Sequence, residues 1–256
     1  MTDHIQVERA HGGTVVHITM ARPEARNAIT VAMYEAMADA VEQAGKDDEV
    51  RLITIRGEGV DFTAGNDLMD FMQAMPQPGE DTDIPVWRFL RAMANNEVPV
   101  IAAVQGNAIG IGTTMLFHCD LVIAEEGCRF KMPFTELGLV PEAASSMIMP
   151  ALSGRRKAAR YLLLSDSFDA HEAEAIGLVS HVAPGGQLDA MFDKVVGKLL
   201  AKPVQSVRLT QNLLRKCDRE AVIARMDLEN GHFAERLTSD ELKQAITEFF
   251  AARSKA

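Results

Sequence analysis

The chain has 256 residues, 47% of them hydrophobic, with 26 basic against 36 acidic side chains and a formal net charge of -10. So acidic a chain repels polyanions unless its basic residues cluster, which argues against nucleic acid, whereas a ligand with a few phosphates needs only a local patch. Cys119, Cys128 and Cys217 are too few and too scattered for a disulfide framework or a zinc site, and no run reaches the roughly 18 apolar residues of a membrane span.

The opening MTDHIQVERAHGG is polar and lacks the apolar stretch of a signal peptide, so the expected setting is reducing and cytoplasmic. Residues 4–22 read as two strands joined at His11-Gly12-Gly13, and residues 30–46 as a helix capped by Thr30. The apolar runs Leu52–Ile55, Val98–Val104 and Leu121–Ala124 predict a mostly parallel sheet buried on both faces. Proline, glycine and acidic residues within 69–87 predict loop, and Met69, Met72 and Met75 there could line an acyl tunnel. Helices are expected over Arg155–Leu164, whose Arg155, Arg156, Lys157 and Arg160 form a solvated basic face, and over Ala170–Ile176. Past Pro203 the chain turns strongly helical, which divides it into a core over 1–200 and a helical region over 201–256.

Two glycine turns stand out. Phe62-Thr63-Ala64-Gly65-Asn66-Asp67-Leu68 follows the run at Leu52, and Gly106-Asn107-Ala108-Ile109-Gly110-Ile111-Gly112 follows the run at Val98. Glycine admits conformations other residues avoid, and a helix opening at Gly110 to Thr114 aims free N–H groups at an anion. Two such turns from separate strands could converge on one oxygen, although a lone glycine turn is more often purely structural.

These turns, with Arg22-Pro23-Glu24-Ala25-Arg26-Asn27-Ala28, Pro133 to Pro141 and Ala173 to Val179, resemble the motifs of the crotonase (enoyl-CoA hydratase/isomerase) superfamily in family order. The resemblance spans roughly residues 5–200 and implies an α/β fold, a spiral of β-β-α units, with a C-terminal helical region that assembles homotrimers or hexamers. It implies an acyl-CoA thioester substrate, with coenzyme A part of the substrate and no further cofactor or metal. Carried over by position, the backbone N–H groups of Asn66 and Ile111 form an oxyanion hole, in which isoleucine replaces the family's usual glycine. Ala64, Gly65, Asp67 and Leu68 meet adenine, Gly110 belongs to the hole, and Arg26 and Ala28 flank the nucleotide. Arg253 matches a basic position that reaches coenzyme A phosphates. Arg26 and Arg253 read equally well as solvated surface arginines.

In this resemblance hydration needs two glutamates, and the matching positions hold Thr114 and Phe134. The stretch Pro133-Phe134-Thr135-Glu136-Leu137-Gly138-Leu139-Val140-Pro141-Glu142 is instead similar to the branch of peroxisomal 3-enoyl-CoA to 2-enoyl-CoA isomerases, whose catalytic base closes that pattern. Glu142 is then the single base, and Glu136 the next candidate. Read without the resemblance, Glu142 is an exposed glutamate opening a helix after Pro141. His17 and His118 read as satisfied core histidines. Residual hydration with Glu142 activating water, and acyl-CoA binding without catalysis, are the two alternatives.

Overall fold

The computed structural model describes residues 2–73, 84–216 and 218–253. Strands β1 (Ile5–Ala10) and β2 (Val15–Met20) pair antiparallel across His11–Gly13, where Gly12 and Gly13 take positive φ. Helix α1 (Val31–Lys46) opens on Thr30, whose hydroxyl accepts from the Met33 N–H at 3.3 Å. There follow β3 (Leu52–Gly57), α2 (Leu68–Gln73), α3 (Pro85–Asn95), β4 (Val100–Val104), β5 (Asn107–Ile109) and the single turn α4 (Ile111–Thr114). Next come β6 (Leu121–Glu125), β7 (Arg129–Lys131), α5 (Ser145–Ser153), α6 (Arg155–Leu163), β8 (Phe168–Asp169), α7 (Ala170–Ala175) and β9 (His181–Ala183). The chain closes with α8 (Leu188–Leu200), α9 (Val204–Lys216), α10 (Arg219–Leu237) and α11 (Asp240–Arg253).

Among the described residues the strands form two sheets, ordered β1-β2-β3-β4-β6-β9 and β5-β7-β8. From β2 to β9 the larger sheet is parallel, and its middle strands are buried on both faces, as their unbroken apolar runs predict. Ile53, Ile55, Val100 and Ala102 face the main core, while Leu52, Ile101 and Ala103 face Phe192 and Val195 of α8. The chain therefore spirals: a strand of the large sheet leads to a short pairing in the small sheet, then a glycine turn, then a helix. β4, β5 and α4 make one such turn. β3, the bridge of Thr63 to Ala108, and α2 make the turn before it.

The C-terminal helices add to the same core, with Met226 and Phe233 from α10 and Leu242 and Ile246 from α11. Arg215 of α9 ties down by donating to the carbonyls of Met93 and His118 and pairing with Asp120 at 3.0 Å. The basic run of α6 is a solvated face, as expected. The loop expected over 69–87 is partly helical, because α2 continues to Gln73 and α3 starts at Pro85; Met75 and the Met72 side chain lie outside the described residues. No described helix is long and apolar enough to cross a membrane.

Candidate active site

Successive turns of the spiral place the two glycine segments side by side. The Thr63 N–H donates to Asn107 O at 3.0 Å, and the Ile109 N–H donates to Thr63 O at 3.1 Å. Gly65 (φ +90°) lies so close to this partner that a Cβ would stand 2.7 Å from Ile109 O, and one on Gly112 would stand 2.5 Å from Thr63 Cγ2. Glycine is required at both by contact and, at Gly65, by conformation as well.

The backbone N–H groups of this pair are what remains unused. Gly65 O accepts from Ile29 N–H, and Asp67 N–H donates to Ile29 O, so strand alternation turns the Asn66 N–H away from Ile29. Ile111 opens α4, where an N–H has no partner one turn back. Among the described residues neither N–H donates to anything. Gly110 (φ +57°) takes the unusual backbone conformation here, so Ile111 is an ordinary helical residue and its side chain is buried in the core. The isoleucine therefore costs the turn nothing. As α4 is a single turn, these are individual donors rather than the end of a long dipole.

Both residues line a cavity of about 550 Å³. Glu24, Arg26 and Ala28 stand along one part of it, followed by Ala64 to Met69 and by Gly110. Its other walls are apolar: Phe134, Leu137 and Leu139 from the core, and Phe233, Leu237, Leu242 and Ile246 from the C-terminal helices. Asp67 is tied to Arg22 at 2.8 Å. Arg26 pairs through Nε with Asp61 at a long 3.8 Å, and its side chain is 69% exposed, which leaves the guanidinium accessible to a ligand. Glu136 lines the cavity but pairs with Lys131 at 2.8 Å. The Arg253 side chain lies outside the described residues.

Glu142 is not the exposed glutamate that helical reading suggests. It is 1% exposed, and α5 begins only at Ser145. Between them Ala143 (φ 60°) and Ala144 (φ 56°) both adopt left-handed backbone, an arrangement that costs on the order of 1 kcal/mol or more per residue. The Glu142 carboxylate accepts from the Thr114 hydroxyl at 3.3 Å, so Thr114 touches the carboxyl rather than lining the cavity. Nor is Glu142 among the residues lining the cavity; it is connected to the cavity wall through Thr114 of the α4 turn and lies in the field of Tyr34, which donates to Asn66. The resemblance has Glu142 facing the hole, whereas in the structure it is buried and does not line the cavity.

These features have counterparts in known proteins. The family model for enoyl-CoA hydratase/isomerase matches residues 10–255. The chain belongs to this family. A solved enoyl-CoA hydratase/isomerase from Pseudoalteromonas atlantica T6c is 38% identical, superposes with a TM-score of 0.90, and is covered over 98% of both chains. Enoyl-CoA delta isomerase 2 of Rattus norvegicus is 33% identical over 95% of this chain, which spans 63% of that protein's length. The 1,2-epoxyphenylacetyl-CoA isomerase of Escherichia coli K12 is 29% identical over 94% of this chain and 93% of its own.

Within this family fold, the electrostatics single out Glu142. Burial pushes its carboxyl up to about 8, the Thr114 hydroxyl pulls it back, and the negative Glu229 pushes it further up. Burial, then the Glu142 charge, raises Tyr34 well above its ordinary range. Its hydroxyl stays protonated and donates to the Asn66 side-chain oxygen. His118 Nε2 meets Ala143 O at 2.9 Å and is a satisfied core histidine, whereas His17, bonded to Thr54 at 2.6 Å, is only half-buried rather than in the core. Sequence reading missed Tyr34 and Glu229. Tyr34 shares the core face of α1 with Met33 and Met37 and looks like packing. Glu229 had a usable signal, an acid at core spacing between Met226 and Phe233 on α10.

Proposed function

We propose that the protein converts 3-enoyl-CoA to 2-enoyl-CoA thioesters, with Glu142 as the one group that moves the proton. The observation that carries this reading is a buried carboxyl raised to about 8, bonded through Thr114 to the same short helical turn that carries the unused Ile111 donor. The Asn66 and Ile111 N–H groups would hold the thioester oxygen and stabilise the negative charge that develops when C2 loses a proton. With the acyl chain seated, Glu142 must turn from its buried position to meet C2; it then takes that proton, the electron pair delocalises through the 3,4 double bond as a dienolate, and the same carboxyl returns the proton to C4. The double bond then lies between C2 and C3, and neither water nor electrons enter or leave.

A base of pKa about 8 suits a weakly acidic C–H better than an ordinary carboxylate, at the cost of being mostly protonated at pH 7. Thr114 and Phe134, standing at the positions that resemble the hydratase pair, supply no second carboxylate. The apolar walls keep water from the dienolate. Arg26 would meet coenzyme A phosphates. The acyl chain would run toward Phe233 and Leu242, which the C-terminal helices bring to the cavity.

The test is Glu142→Gln assayed with a 3-enoyl-CoA. Turnover should fall at least about 10³-fold while acyl-CoA binding stays within a few-fold, because glutamine keeps the Thr114 bond but cannot accept the proton. Undiminished turnover would assign the base elsewhere. Loss of the conjugated enoyl absorbance with 3-hydroxyacyl-CoA appearing would instead make the protein a hydratase.

A further inference from the structure

The turn that carries Glu142 is held in place by side chains far away in sequence. Ala144 N–H donates to one carboxylate oxygen of Glu229 at 2.6 Å, and Ser146 N–H donates to the other at 2.9 Å. Glu229 is 5% exposed and projects from α10, while Arg225, one turn earlier on that helix, donates to the Ser146 hydroxyl at 3.2 Å. On the other side His118 faces the Ala143 carbonyl at 2.9 Å. A carbonyl only accepts, so Nε2 carries the proton. Burial holds this imidazole down at about 4, which keeps it neutral. Ser145 closes the turn, giving both its N–H and its hydroxyl to the Glu142 carbonyl at 2.9 and 2.5 Å.

Two successive alanines in left-handed backbone persist only where the surroundings over-determine them. Here the surroundings are a carboxylate from α10 and an imidazole from the turn after α4. We infer that Glu229 is a positioning residue for catalysis: its carboxylate clamps the strained Ala143–Ala144 turn, fixing where the Glu142 carboxyl stands and adding a like charge beside it. The inference rests on Glu142 being the base. A neutral amide could accept from only one of the two N–H groups, so it would loosen the turn as well as leave the base weaker. Burial raises the Glu229 carboxyl above its ordinary range, while the two N–H groups it accepts from, the Ser146 hydroxyl and Arg225 pull it back by favouring the charged form. The groups facing this turn are Tyr34 from α1, His118 with Arg215 behind it, and Glu229 with Arg225 from α10. Of these Glu229 is the one whose negative charge bears on Glu142.

Glu229→Gln keeps the reach and removes the charge. With a 3-enoyl-CoA its kcat should fall ten- to a hundredfold with KM within about threefold, and the rising limb of kcat/KM against pH should move to lower pH by half a unit or more. A kcat within twofold of the parent overturns the inference, and so does a lowered kcat whose limb has not moved, because a merely structural glutamate would behave so. If Glu229→Gln does not fold, Glu229→Asp keeps the charge but cannot span both N–H groups. A fivefold or greater loss of kcat at unchanged KM then supports the clamp, and full activity overturns it. Glu142→Gln in parallel separates the two ideas: an active Glu142→Gln removes the base, whereas an inactive one beside an unaffected Glu229→Gln removes only the clamp.

Discussion

The proposed oxyanion side and the proposed base side of this site are built from different materials. On one side Gly65-Asn66 and Gly110-Ile111 present main-chain donors whose positions follow from strand pairing between successive spiral turns. On the other, Glu142 rides on a strained turn with no regular structure of its own, held by side chains from residues 114, 118 and 229. The first depends on backbone and tolerates side-chain change. The second depends largely on side chains, among them the proposed base.

The contrast is broken most severely at Gly65. Gly65→Ala should cost about 10³-fold or more in kcat/KM and about 2–4 kcal/mol of stability, measured by kinetics and denaturant melts, because its Cβ meets Ile109 O at 2.7 Å at φ +90°. Beside it, Asn66→Ala keeps the N–H and loses only the bond from Tyr34, so a three- to tenfold loss is expected. Equal losses for the two variants would mean that the Asn66 side chain, rather than the backbone, does the work.

The base side is sharpened by pH. With Glu142 at about 8, kcat/KM should climb nearly tenfold per unit from pH 6 toward 8 and level off above, since the free enzyme must lose that proton to act. A profile flat from pH 6 to 9 contradicts this. Stability should run the opposite way. The folded carboxyl binds its proton more tightly than the unfolded one, so its favourable contribution is full below about 4.5 and is lost as pH rises through about 8. Glu142→Gln should therefore melt higher than the parent, by a margin that grows from pH 5 to pH 8. The smallest effect belongs to Thr114→Val. Losing the hydroxyl bond should raise the carboxyl further, shift the kinetic limb upward by a few tenths of a unit, and lower the rate at pH 7 by two- to fivefold.

The same division decides what could be read in the sequence. Glycine turns after apolar runs announce themselves, because few other residues tolerate those conformations, whereas the choice of the Asn66 and Ile111 N–H groups came from the family resemblance. Glu142 was legible only as a member of a motif; its local signals, a proline before it and a helix after it, suggested an exposed position. Nothing in Glu142-Ala143-Ala144 hints at left-handed backbone, since alanine ordinarily avoids it, and the partners that enforce it are remote. Glu229 lies on a helix the sequence assigns to assembly, yet α10 and α11 also wall the cavity with Phe233, Leu242 and Ile246. Helical spacing tells which face is buried, not what it is buried against.

The most direct test follows the proton itself. A 3-enoyl-CoA carrying deuterium at both C2 positions is turned over once in ordinary water, and the product is analysed by mass spectrometry and NMR. If one buried carboxyl carries the proton from C2 to C4, a substantial part of the abstracted deuterium should reappear at C4. Deuterium lost from C2 with none arriving at C4 would mean that solvent or a second base delivers the proton, and would contradict Glu142 acting alone.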